Sequence, residues 1–196
     1  MKLSILAIFA IAVAFAGCGG NVANASPPAS AGIAAPQTPN AQDAAGAYCK
    51  QTGGEIELRH PVYGSNSSNL LFLAGERRFC QYTSKKDGSR IHILLETLYT
   101  TKPSLAALAY ILKPAIGSCN GNPASCYCSL LGGSDQFGGT SGAGGGWYEK
   151  NAIDQTLEAC IFPDMSSIDS WGLTYHANGI IRGINLLKVM RYKYPG

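Results

Sequence analysis

Hydrophobic and polar positions change rhythm several times along the chain. An apolar run at 3–15, broken only by Ser4, gives way to twenty-four residues, 19–42, that carry no charge at all. Beyond them the pattern is that of a folded body. "EIELR" (55–59) alternates and predicts a strand, and "RRFCQYT" (77–83) and "LEACIF" (157–162) read as further strands. Asn122-Pro123 offers an N-cap with Pro at the first helical position, and Gly132-Gly133 ends that helix; Asp43 and Gly53-Gly54 take the same parts earlier in the chain. Ser166 followed by Asp169 resembles a capping box. Ile168, Trp171 and Tyr175 then recur at i, i+3 and i+7, predicting a helix that Asn178-Gly179 stops. A matching run has Ser89 as its cap and Ile91, Leu94, Leu95 and Leu98 as its stripe.

These elements repeat. When "DAAGAYCKQTGG" (43–54) is laid on "NPASCYCSLLGG" (122–133), Tyr48-Cys49 falls on Tyr127-Cys128 and Gly53-Gly54 on Gly132-Gly133. The next cysteine follows 31 residues later in the first copy, Cys80, and 32 later in the second, Cys160. "DGSRI" (87–91) then answers "DMSSI" (164–168). The order and spacing predict an internal duplication, a degenerate repeat at 43–114 and a second at 119–194. The fold class expected is α+β, with two small disulfide-stapled repeats, each a helix, short antiparallel strands and a helix.

A unit of this size buries only around 60% of its unfolded surface and is marginal without a staple. Cysteine supplies one. The duplication selects Cys49–Cys80 and Cys128–Cys160 as pairs, each closing a loop worth about 3–4 kcal/mol on the chain-entropy account. Cys119 and Cys126 are left to pair with each other in the linker. A metal site is disfavoured, because Cys126-x-Cys128 lacks a partner pair at zinc-like spacing. No cofactor is expected.

The seventh cysteine belongs to the start of the chain. Lys2, the apolar run and the small pair Ala16-Gly17 make an export signal at 1–17. "FAGC" resembles the lipobox of bacterial lipoproteins, which implies lipidation of Cys18, an anchor in the bacterial outer membrane and a disordered tether through residue 42. By coil statistics the 24 uncharged residues hold the body some 25–30 Å from the lipid on average. Fourteen basic residues face twelve acidic ones once Lys2 is removed, and no basic stripe points to nucleic acid. Six acids and one base lie between Asn122 and Trp171, read as a solvated acidic face.

"NPASCYC...GG" followed by "ACIFPDMSSIDSW" resembles a short bacterial domain of unknown function whose members are often labelled haemolysins. The second repeat matches nearly every element of that pattern; the first lacks the Asn-Pro, the Pro-Asp and the Trp. The resemblance implies an exported, often lipid-anchored domain and transfers no catalytic residue.

Candidate chemistry is sparse. The glycine-rich "FGGTSGAGGGW" (137–147) has neither a phosphate-loop ending nor the second glycine of a nucleophile elbow, and reads as a mobile surface loop that lines a binding surface beside Trp147 and Tyr148. His60 and His92 have no acidic partner at motif spacing. His176 shares a predicted helix with Asp169, which keeps a periplasmic hydrolase as the alternative reading; capping and helix-end roles explain both residues equally well. Trp171 reads as core or as a stacking platform. The reading preferred is a non-enzymatic envelope lipoprotein with a binding or inhibitory role, its partner an envelope protein or glycan, with Trp147, Tyr148, Trp171 and His176 as candidate contacts.

Overall fold

The computed structural model describes residues 41–64, 70–115, 117, 119–135 and 145–195. The export signal, Cys18, the tether to residue 40 and most of the glycine-rich segment lie outside the described residues. Helix α1 (Ala41–Gln51) leads into β1 (Glu55–Tyr63), β2 (Leu71–Phe72), β3 (Arg77–Thr83) and β4 (Arg90–Leu94), then α2 (Leu95–Tyr99) and α3 (Leu105–Leu112). Helix α4 (Pro123–Leu130) leads into β5 (Gly145–Tyr148), β6 (Thr156–Leu157), β7 (Ala159–Ile161), β8 (Ser167–Asp169) and α5 (Ser170–Ala177), with a 3-10 turn at Leu186–Lys188. The fold is mixed α+β, and every strand pairing is antiparallel.

Sheet order is β6-β5-β1-β3-β4-β8-β7, with β2 laid beside the far end of β1. The two ends of that order, β6 and β7, are separated in the chain by Glu158 alone, so the sheet must curl back on itself. Strand alternation then sorts side chains to two sides. Outward go Cys80, Tyr82, Ile91, Ile93, Cys160 and Ile168, packed against the helices. Inward go Phe79, Leu94, Trp147, Leu157 and Ala159, a second apolar cluster inside the curl. Each large apolar side chain buried in these clusters contributes about 1.5–3 kcal/mol.

The helix that opens each half is built as its sequence requires. Asn122 Oδ1 accepts from the amides of Ala124 (2.9 Å) and Ser125 (3.3 Å), and Pro123 follows with no amide to waste. In α1 the structure corrects the expectation: the helix starts at Ala41, so Asp43 sits in its first turn rather than at its cap. Gly53 and Gly132 end the two helices at φ +87° and +83°. The second glycine of each pair has a different task. A Cβ on Gly54 would overlap Cys80 Sγ, and one on Gly133 would overlap Cys160 Sγ, so both glycines clear space for a disulfide. The bridges are Cys49–Cys80, Cys119–Cys126 and Cys128–Cys160, the pairs expected, with Cα–Cα distances of 5.8, 5.8 and 5.6 Å.

The surroundings of the two long staples correspond. Glu55, just after Gly54, pairs with Gln81; Ser134, just after Gly133, bridges Ile161. Cys80 pairs with Ile93 and Cys160 with Ile168, and Ile93 then pairs with Ile168 across the two hairpins. In each hairpin turn an aspartate Oδ1, Asp87 or Asp164, accepts from both the amide and the hydroxyl of the serine two residues on.

Two expected helices are corrected in part. Residues 90–94 and 167–169 are strands, and helix begins only at Leu95 and at Ser170. The stripe Ile91, Leu94, Leu95 and Leu98 mixes the two faces of a strand with one turn of helix. Ser166 is accordingly no cap. Asp169 is, its Oδ1 accepting from the Gly172 amide at 3.0 Å. Helix α3 was not foreseen, although Ser104 caps it by accepting from the Ala107 amide.

Candidate functional site

Inside the curl, the β1 residues Glu57 and Arg59 and the β4 residue His92 face inward, as does Asp169 at the end of β8. Arg59 is fully buried, Glu57 and His92 nearly so. Arg59 Nε donates to Glu57 Oε2 at 2.7 Å, and its Nη1 donates to the carbonyls of Trp147 (3.0 Å) and Asp154 (2.9 Å), which ties β1 to the β5–β6 hairpin. His92 stands between two carboxylates, with Nε2 3.2 Å from Glu57 Oε2 and Nδ1 3.4 Å from Asp169 Oδ2. Burial pushes the His92 pKa down, but the Asp169 and Glu57 carboxylates outweigh it and the net shift is upward. Burial likewise pushes Glu57 up, and His92 and Arg59 carry it below the ordinary carboxylate value. This end of the curl is chemically closed: each imidazole nitrogen faces a carboxylate and neither faces a nucleophile.

Among the described residues the other end is open. Pro61, Leu73, Ile161 and Met165 surround a cavity of about 530 Å³ with Trp147 in its wall. Trp147 is 5% exposed, and the Arg77 guanidinium lies 5.7 Å from its ring centre. The approach of β5 to its neighbours explains two of the sequence's glycines. A Cβ on Gly145 would run into the Val62 carbonyl and one on Gly146 into that of Leu157, so these glycines belong to a tightly paired strand, not to a mobile loop. The remainder of the expected loop, 136–144, lies outside the described residues. Asp135 also lines the cavity; it is 7% exposed, its Oδ2 makes no hydrogen bond, and burial raises its pKa.

Beside the mouth, β2 forms an exposed edge. Leu71, Phe72 and Leu73 are 63%, 62% and 42% exposed. Leu73 donates its amide to Pro61 O, so the amide and carbonyl of Phe72, one residue back, point away from β1.

The other expected contacts are scattered. Tyr148 packs edge-on against Phe72, 5.4 Å between ring centres, on the outer face. Trp171 is half-buried beside Tyr175 and borders a separate shallow groove with Arg182. His176 is 2% exposed and stacks on Tyr110 at 3.7 Å with neither ring nitrogen hydrogen-bonded; burial and the nearby Lys113 charge lower its pKa to about 4. Asp169 is turned to His92 and to the Gly172 amide, so the structure does not join it to His176. Sequence reasoning missed His92, whose partners come from 35 and 77 residues away. The signal available was the inward parity of Glu57, Arg59 and His92 in two strands, legible only once their pairing is known.

Among the described residues no group of three or more His, Cys, Asp or Glu is placed to hold a metal ion, and no helix is long and apolar enough to cross a membrane. Comparison of the chain with protein-family models, curated proteins and solved structures gives no match.

Proposed function

We propose that this chain is a non-enzymatic binding module, an exported lipoprotein held at the bacterial outer membrane through Cys18 and a tether, whose body consists of two stapled repeats related to the haemolysin-labelled bacterial domain. The matched staples, the glycine pairs and the Asp-x-Ser turns support the repeat reading. The "FAGC" motif supports the anchor.

One observation carries the binding reading: among the described residues the interior of the curled sheet is sealed by ion pairs at one end and left mostly apolar and open at the other. A concave, mostly apolar recess at the mouth of a curled sheet is where small ligands and side chains bind. The hydrolase alternative has less behind it, since His176 stacks on Tyr110 and Asp169 serves His92.

The test is titration of the purified body with N-phenyl-1-naphthylamine, a neutral apolar fluorophore. Binding with blue-shifted emission, abolished by Ile161→Arg at the mouth while the melting temperature holds, is the expected result. A protein that leaves the fluorophore in water overturns the reading.

A further inference from the structure

The two hairpin turns share an Asp-x-Ser core, and the residue at x differs in a way that costs stability. In the β3–β4 turn, Gly88 follows Asp87 at φ +70°. At the same place in the β7–β8 turn, after Asp164, stands Met165 at φ +64°. The first turn is one residue longer, closed by Ser84 N donating to Ser89 O where Phe162 N donates to Ser166 O in the second. In both, the aspartate before the left-handed residue holds the serine after it. Left-handed backbone suits glycine and penalises a side chain with a Cβ. Met165 is nonetheless 52% exposed and belongs to neither buried apolar cluster. Strain kept where a cheaper residue fits the turn points to a task for the side chain.

The position of Met165 names the task. It lies on the border of two recesses that also share Arg77: the apolar mouth, and a second cavity of about 460 Å³ lined by Glu96, Thr97, Thr100 and Asp164. Of the described residues lining the two, Glu76, Asp135, Glu96 and Asp164 are acidic and Arg77 alone is basic. Arg77 donates to the Met165 carbonyl at 3.3 Å, and the neighbouring Arg78 is turned away to the Gln42 carbonyl at 3.4 Å. Glu96 and Asp164 are exposed. Next to the mouth runs the β2 edge, whose outward Phe72 amide and carbonyl pair with no other strand among the described residues.

Resting on the binding reading above, we propose that the occupant is an extended peptide segment of a partner protein, with an apolar side chain seated between Trp147 and Met165 and a lysine or arginine two residues on, over Glu96 and Asp164. Residues i and i+2 of an extended chain share a face and lie about 7 Å apart, so one extended segment presents two side chains to adjacent recesses that share Met165 and Arg77. Met165 is a flexible, polarisable side chain suited to closing over apolar groups.

The test is fluorescence anisotropy with a fluorescein-labelled Gly-Leu-Ala-Lys-Ala peptide, run beside Gly-Leu-Ala-Glu-Ala and with octylamine as competitor. The lysine peptide should bind more tightly than the glutamate peptide by at least about tenfold at low salt, and the preference should shrink as salt is added. Met165→Gly should weaken the lysine peptide about tenfold while leaving the melting temperature unchanged or higher, a split that a structural role for Met165 would not produce. Glu96→Lys should invert the preference. Equal binding of the two peptides, full affinity in Met165→Gly, or octylamine competing as well as the peptide would each overturn the proposal. If N-phenyl-1-naphthylamine binds and the lysine peptide does not, this inference fails alone; if neither binds, the binding reading fails with it.

Discussion

The two stapled hairpins, β3–β4 and β7–β8, share a frame and differ in what surrounds it. Each is bonded through its first strand to a helix ending in Gly-Gly. Around the first, β1 runs alongside for five register pairs and brings Glu57 and Arg59 to His92. Around the second, the corresponding pairing among the described residues is a single bridge, Ser134 to Ile161, and the chain that follows it, 136–144, lies outside them. The first half spends its inward face on a sealed polar cluster. Among the described residues, the second hairpin has Ile161 and the Met165 turn at the mouth of the recess. The described parts of the same frame thus differ in how much strand is laid against each staple.

That contrast predicts unequal dependence on the two disulfides, the largest effect expected. On chain entropy alone, removing Cys49–Cys80 or Cys128–Cys160 should cost a similar amount, about 3–4 kcal/mol each, because their loops differ by one residue. The β1–β3 ladder still holds the first hairpin when its staple is gone, whereas among the described residues the second keeps the Ser134–Ile161 bridge, the Ile93–Ile168 pair and its packing. Urea denaturation of the Cys→Ala pairs should therefore show Cys128→Ala/Cys160→Ala as the less stable variant. Equal midpoints would mean that the β1 ladder adds nothing to the first half.

The start of α4, the glycine stops, strands β1 and β3 and all three disulfides were readable because each rests on local chemistry or on repeated spacing. Asn122-Pro123 caps whatever its tertiary setting. Less readable was anything decided by pairing. Residues 91–98 carry apolar side chains at helical spacing, yet Ile91 and Ile93 are β-branched and His92 between them faces the opposite side, the parity of a strand that continues into a helix. The mouth could not be read at all, since Pro61, Trp147, Ile161 and Met165 meet only when β6 and β7 close the curl. Trp147 was singled out for its place beside glycines, and that reason was partly mistaken: Gly145 and Gly146 are there to let strands approach.

The two buried histidines sharpen the comparison through pH. His92, within the first hairpin, has its pKa raised, so it stabilises the fold fully below about 6.5, its unfolded value, and the contribution is lost as pH rises through the folded value. His176, in the helix that follows the second hairpin, has its pKa lowered to about 4. Its neutral form is the one the fold accepts, so stability is intact above about 6.5 and is lost as pH falls toward 4. In urea midpoints measured from pH 8.5 to 4, the advantage of the wild type over His92→Gln should grow as pH drops from 8.5 to 6. Its advantage over His176→Phe, which keeps the stack on Tyr110, should shrink between 6.5 and 4. Parallel curves for wild type and His92→Gln would mean that the Glu57 and Asp169 carboxylates do not hold the proton on His92.

The smallest effect isolates the turn. A Cβ built on Gly88 meets nothing within 4 Å, so Gly88→Ala changes no packing and tests the backbone alone. At φ +70° it should destabilise the fold by about 1–2 kcal/mol, reduced by the lower unfolded-chain entropy of alanine, for a net loss near 1 kcal/mol and a melting temperature lower by about 2–4 °C. The β7–β8 hairpin already bears that strain at Met165, where the same reasoning gives no loss for glycine. Differential scanning calorimetry of Gly88→Ala therefore measures the strain that Met165 sustains. If Gly88→Ala melts with the wild type, left-handed backbone is free of penalty in this Asp-x-Ser turn, and the retention of Met165 no longer calls for a task at the mouth.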